Sequence, residues 1–316
     1  MSKNLVRATY QIVTPLFLGG SGNKSVNEIR PPAFKSAVRF WWRALNWCKF
    51  MDLKKLHEEE SRLFGGDSNN GGQGLFLLSI QHEDFKATKK AGSLKTLNYF
   101  TYGINGFLKS KDRCYIEDGN KFDIEFFCKP NTKPKDIEQL KDALLALGLF
   151  GGLGAKSRRG FGSLAITELN DTKYIFNDEE SYQNAGKNLL KKYPFTNKKK
   201  CPPYSALSQF SKWLKMSDSH KQLAEEYKDF LTEHQGADNG KVAFGEPKLK
   251  HSSGQNDRRS SPLFMHIHTI GTTQIANILF MPAIWTPQQP DGHKNYEMVK
   301  EYLAKNKQLT WIPNNE

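Results

Sequence analysis

In the first twelve residues apolar and polar positions alternate. Val6, Ala8, Tyr10 and Ile12 fall on one side and Arg7, Thr9 and Gln11 on the other, which predicts a half-buried strand over 5–13. After the loop LFLGGSGNKSVNEIRPP the period changes. Phe34, Val38, Trp41, Leu45 and Cys48 recur at steps of four and three, the spacing of one helix face, and predict a helix over 33–50. Pro32 suits the first turn of that helix, where a missing N–H costs nothing. A second helix is expected over 52–64, stopped by Gly65-Gly66, then strands at 74–82, 95–104 and 121–128. Helical spacing returns over 134–149 through Ile137, Leu140, Leu144 and Leu147. The glycine-rich run FGGLGAKSRRGFG follows and leads into a strand over 163–169. Strand, helix, strands, helix, strand is the β-α-β-β-α-β order of ferredoxin-like domains.

Beyond residue 170 the pattern becomes mainly helical over 178–234, interrupted by the turn-rich KKYPFTNKKKCPPY. A polar loop carrying Arg258 and Arg259 precedes an expected hairpin, 262–270 with 274–281, and a last helix near 294–305. The expected division is 1–170 and 171–316, an α+β chain in two domains, as 316 residues suggest.

Charge changes this picture more than composition does. The net charge is +13, with 26 Lys/Arg against 17 Asp/Glu in residues 1–170 and 20 against 16 after them. Such an excess points to an anionic partner, nucleic acid first, and says nothing about fold. The four cysteines, Cys48, Cys114, Cys128 and Cys201, form no CxxC, so neither a zinc ribbon nor a redox dithiol is supported. The uncharged stretch 260–290 is broken by His266, His268, Asn277 and Pro282, leaving no apolar run long enough to span a bilayer. A soluble, cytoplasmic protein with no membrane partner, no metal and no cofactor is expected.

Two segments carry candidate chemistry. In the first, Gly151, Gly152, Gly154 and Gly160 surround Lys156, Ser157, Arg158 and Arg159, so that backbone N–H groups and cations can approach phosphate together. It is no Walker A loop, because Ala155 and Phe150 stand where glycines are required, and a helix precedes it where a strand should. In the second, Lys35, Arg39 and Arg43 line one helix edge at i, i+4 and i+8, with Trp42 beside them as a candidate base-stacking ring. Arg258 and Arg259 are weaker candidates, and the run Lys198–Lys200 reads as a solubilising turn. His266 and His268 read as one polar face of the hairpin. No HExxH, nucleophile elbow or carboxylate cluster is evident, although metal-independent RNA cleavage needs only a base, an acid and a cation.

TPLFLGG (14–20), IRPPAFKSAVRFWWRAL (29–45) and GGLGAKSRRGFGSL (151–164) together resemble the RAMP superfamily of CRISPR-associated proteins, and within it subunit one of type III-B Cmr complexes. The resemblance is strong over roughly 5–170 and looser at FGEP (244–247) and RRSSPLFMHI (258–267). It implies two tandem ferredoxin-like (RRM-like) domains, the second more helical and degenerate. It also implies a non-catalytic, RNA-binding subunit that holds the 3′ region of the guide RNA and contributes to target-RNA binding, beside a neighbouring RAMP subunit and the backbone subunits. By motif position, Gly151 to Gly162 would approach RNA phosphates, with Lys35, Arg39 and Arg43 near RNA or an adjoining subunit. The alternative is a metal-independent RAMP endoribonuclease processing guide RNA, which would need a His or Tyr close to the glycine-rich loop in space.

Overall fold

The computed structural model describes residues 4–19, 28–66, 72–82, 85, 89–104, 113–193, 195, 201–234, 244–250, 256–284, 296–305 and 309–312, with 246–250, 256–259 and 309 as backbone alone. In chain order the elements are β1 (Leu5–Ile12), α1 (Pro31–Phe50), α2 (Leu53–Phe64), β2 (Phe76–Gln81), β3 (Lys89–Lys90), α3 (Asn98–Thr101), β4 (Cys114–Tyr115), β5 (Lys121–Cys128), α4 (Pro134–Phe150), β6 (Leu164–Leu169) and β7 (Thr172–Lys173). They continue as α5 (Glu179–Lys191), β8 (Lys212–Ser217), α6 (His220–Glu233), β9 (Glu246–Lys250), β10 (Asn256–Arg259), β11 (Leu263–Ile270), β12 (Thr273–Phe280), α7 (Glu297–Ala304) and β13 (Leu309–Trp311).

The first sheet is antiparallel in the order β2-β5-β1-β6-β7. Val6, Ala8, Tyr10 and Ile12 are buried as their alternation predicts, and α1 and α4 cover that face. The Tyr10 hydroxyl donates to Leu144 O on α4 (2.8 Å), so its one polar atom is satisfied inside the core. Two prolines open α1, and Met51 ends it in the left-handed region at φ 47°. Asp52 then caps α2 by accepting from Lys55 N.

The second sheet runs β11-β12-β8-β13. Taken as β8-α6-β11-β12-α7-β13, this part repeats the β-α-β-β-α-β order of the first and arranges its strands in the same sequence, with a last strand of three residues. Both ferredoxin-like units are therefore present. Phe264, Ile270, Ile275 and Leu279 join the core of the first unit, while Leu263, Met265, Ile267 and Ile278 face α6 and α7.

That two-sided burial explains the strand missed at 212–217. Trp213 and Leu214 are neighbours in sequence and both buried, so β8 shows no alternation to read. The stretch expected as a strand at 95–104 is instead a 3₁₀ turn running into α3. Leu94, Leu97 and Phe100 recur every third residue and pack against the α6 core, a helical spacing rather than a strand one.

Gly186 sets how closely α5 lies on β8, since a Cβ there would come 2.3 Å from the Trp213 ring. Ala favours a helix interior by about 1 kcal/mol over Gly, yet overpacking against a buried ring costs about 1–3 kcal/mol. Gly186→Ala should therefore lower stability in urea unfolding, against the propensity scale.

Candidate nucleic-acid interface

Lys35, Arg39 and Arg43 do share one edge of α1. They face the glycine-rich turn after α2 across a cleft of about 570 Å³ that also takes in Ser36, Gly65 and Gly74. Glu60 of α2, almost wholly buried, lies between the arginines. It accepts from Arg39 Nε (2.6 Å) and from Arg43 Nη1, and Arg39 Nη1 also donates to Gly65 O. Two guanidiniums on one carboxylate leave a net positive edge, with 28% and 32% of their side chains exposed. Burial and the nearby Arg39 lower the Lys35 pKa. Glu60 carries no signal of its own within the run Glu58–Glu60.

Trp42 is a correction. Its ring is fully buried between α1 and α4, packed on Phe50 and Phe64, and its N–H donates to Gln139 Oε1 (3.1 Å). No face is left for a base.

The glycine-rich loop folds tightly against the segment after β1. Leu153 N donates to Gly162 O, Ala155 N to Phe17 O and Gly162 N to Pro15 O. Gly154 (φ +82°) and Gly162 (φ +59°) are needed for this approach: added Cβ atoms would sit 2.3 Å from Phe17 O and 2.1 Å from Leu153 O. Among the described residues, the N–H groups of Gly152, Gly154, Lys156 and Ser157 have no acceptor, while Gly160 N is used on Ser157 O. Lys156 is half-buried, its pKa lowered by burial and by Arg159.

Arg158 and Arg159 turn inward, unlike the expected phosphate clamps. Arg158 Nη1 donates to Ser261 O and to Ser205 Oγ (3.3 Å), and its guanidinium lies 4.2 Å over the Phe264 ring. Burial pushes its pKa down to about 10. Arg159 stands 4.3 Å over Tyr227 of α6, and its carbonyl accepts from His220 Nε2 (2.8 Å). Residues from 47 to 103 positions away supply the hydrogen-bond partners, so the loop's own composition could not show them. Arg258 and Arg259 fall on β10, and their side chains lie outside the described residues, as does all of Lys198–Lys200.

His266 and His268 are likewise not an open polar face. Both are buried where β11 meets α4, with Tyr182 of α5 against His268. His266 Nδ1 donates to Gly151 O (2.8 Å), leaving its Nε2 to accept from His268 Nδ1 (3.2 Å), and His268 stacks on Tyr182. Burial pushes His266 and His220 down to about 4. Among the described residues no group of three His, Cys, Asp or Glu could hold a metal, and no helix is long and apolar enough to cross a membrane.

A second cleft, of about 350 Å³, opens between α1, the loop and β11, lined by Ser36, Phe40, Gly152, Ser157, Arg158 and Phe264. Ser36 borders both clefts. The open face of the first sheet, which many RRM-like domains turn to RNA, is acidic here. A concavity of about 600 Å³ there carries Asp123, Glu125, Glu168 and Asp171 against Arg7, itself paired with Glu125. Phosphate is repelled from it.

The RAMP superfamily profile matches residues 9–165. The chain carries a RAMP superfamily domain. It resembles Cmr subunit Cmr1-1 of Pyrococcus furiosus, 26% identical over 290 residues that cover 84% of each chain. Cmr1-2 of the same organism is 27% identical over 184 residues, 51% of this chain and 94% of that one. The crystal structure of Pyrococcus furiosus Cmr1 superposes at TM-score 0.70 and 21% identity, covering 98% of this chain and 99% of that one. A chain of the type III-B Cmr-β complex bound to cognate target RNA superposes at 0.62 and 13% identity, covering 95% and 99%. At these identities the superpositions speak for fold. The matched RAMP region contains α1 and the whole glycine-rich loop.

The enclosed histidines give stability a defined pH dependence. Their ordinary pKa is about 6.5, so between pH 6.5 and about 4 the unfolded chain binds protons that the folded chain does not. Stability is therefore complete above 6.5 and falls as pH drops, by about 1.4 kcal/mol per pH unit for each such group. His220→Gln should make urea-derived stability shallower by about one proton between pH 6 and 5. An unchanged slope would place His220 outside the titration.

Proposed function

We propose that this chain is a non-catalytic, RNA-holding subunit of a type III-B (Cmr) CRISPR effector complex. In this reading it grips the 3′ region of the guide RNA, contributes to target-RNA binding, and sits beside a neighbouring RAMP subunit and the backbone subunits. The observation that carries it is the pair of clefts sharing Ser36. One is edged by Lys35, Arg39 and Arg43; the other is bordered by a loop that presents free N–H groups beside Lys156. Phosphate contacts of this sort position a strand without reading its sequence. The likeness to Cmr subunits of Pyrococcus furiosus supports this assembly.

The residues expected to meet RNA are accordingly fewer than the loop's full complement of cations. Lys35 and Lys156 are assigned to phosphate, Arg39 and Arg43 contribute through the net charge left over Glu60, and Arg158 and Arg159 join the two units. Lys35→Ala with Lys156→Ala should weaken binding of single-stranded RNA. It should also flatten the plot of log affinity against log salt by about 0.7 for each phosphate no longer neutralised. Fluorescence anisotropy across a salt series measures this, and an unchanged slope removes both lysines from the interface. Arg158→Ala should instead lower the melting temperature, because it leaves Ser261 O and the Phe264 ring without their partner.

One observation favours the endoribonuclease alternative: His220 and His266 both touch the loop backbone. Each spends a ring N–H on a carbonyl and is enclosed, a poor arrangement for proton transfer to substrate. Incubation with repeat RNA in EDTA decides between the readings, and products ending in 2′,3′-cyclic phosphate would overturn the first.

A further inference from the structure

The two clefts at Ser36 differ in chemistry. The first is cationic and polar. The second is walled by the Ala33 and Ala37 methyl groups, the Phe40 and Phe264 rings and the backbone of Gly152. Phe40 and Phe264 lie nearly parallel, 23° apart at 5.2 Å, and Phe40 keeps part of its surface open while Phe264 is buried beneath Arg158. Among the described residues of this cleft's wall, the ionised group is Arg158. Its guanidinium stands 4.2 Å over the Phe264 ring, with Nη1 committed to Ser261 O and Ser205 Oγ. A phosphate or carboxylate wants the guanidinium edge in a two-pronged contact, and part of that edge is spent.

The apolar walls of the cleft suit a flat, uncharged ring. Hydroxyls of Ser36 and Ser157 and the unaccepted N–H groups of Gly152 and Gly154 border it and can hydrogen-bond ring nitrogens or exocyclic oxygens. A volume of about 350 Å³ lies within the range of small-ligand sites. The geometry points to a nucleobase pocket: one base of the bound single strand turns into this cleft against Phe40, while its phosphate stays across Ser36 on the Lys35 edge. Stacking on an aromatic ring tolerates every base, so the pocket would anchor the strand rather than read it. This inference deepens the RNA-holding role proposed above and rests on it.

Three probes with the full chain test it: a ten-nucleotide RNA, a fully abasic ribose-phosphate strand of equal length and charge, and adenosine, which has no phosphate. The intact RNA should bind about 10-fold tighter than the abasic strand, from loss of one stacked base. Phe40→Leu, which keeps apolar bulk but removes the ring, should close most of that gap while leaving abasic binding unchanged. Ala33→Phe, which plugs the cleft from the half-buried first turn of α1, should do the same if the leucine variant folds poorly. Adenosine at millimolar concentration should change the fluorescence of Trp41, which also lines the cleft, and the change should be absent in Trp41→Phe. A gap between intact and abasic strands that neither variant alters, or equal binding of the two strands with adenosine silent, overturns the pocket while the RNA-holding role stands. No RNA binding but a Trp41-dependent adenosine response removes that role and keeps the pocket. Silence from all three probes overturns both.

Discussion

The architecture depends on how the backbone of residues 151–162 is bonded on both sides at once. Toward the first unit, Ala155 and Gly162 donate to carbonyls of Phe17 and Pro15. Toward the second, carbonyls of Gly151, Arg158 and Arg159 accept from His266, Met265 and His220. A loop carrying side chains at 154 and 162 could not fold this tightly, because the added Cβ atoms would meet the carbonyls of Phe17 and Leu153. The glycines that looked like a phosphate device thus serve first as a joint. Any anion-binding capacity is confined to the N–H groups the joint leaves over.

The same loop sorts its cations by environment. Arg158 and Arg159 are drawn into aromatic surroundings where a flat, delocalised guanidinium can lie on a ring face, something a lysine ammonium does less well. Lys35 lines the first cleft and Lys156 adjoins Ser157 in the loop, both only partly desolvated. Glu60 of α2 holds the two α1 arginines at fixed positions on one almost wholly buried carboxylate, so their residual charge is presented by a rigid edge rather than by mobile side chains. A positively charged helix edge and an acidic open sheet face on one unit direct a polyanion to one side of the molecule.

Much of the first unit was legible in sequence because its sheet is covered on one face only. Alternation in Val6 to Ile12 and the three-four spacing from Phe34 to Cys48 report that directly. The second unit was harder, since its sheet is buried on both faces and β8 has no polar stripe to mark it. The candidate site was half visible. Residue type and spacing located the Lys35-Arg39-Arg43 edge and the glycine-rich loop, whereas the partners that reassign Arg158, Arg159 and Trp42 are Ser261, Tyr227 and Gln139, each far away along the chain. Phe40 and Phe264 become neighbours only after the second sheet docks on the first unit.

The central claim is that RNA lies along the α1 edge and the glycine-rich loop, and not on the open sheet. Photo-crosslinking of 4-thiouridine-substituted guide RNA to the assembled complex, with the adducts mapped by mass spectrometry, addresses it most directly. Adducts are expected in peptides spanning residues 33–43 and 152–157. Adducts confined to β2 and β5, around the exposed Leu77 and Phe127, would contradict it.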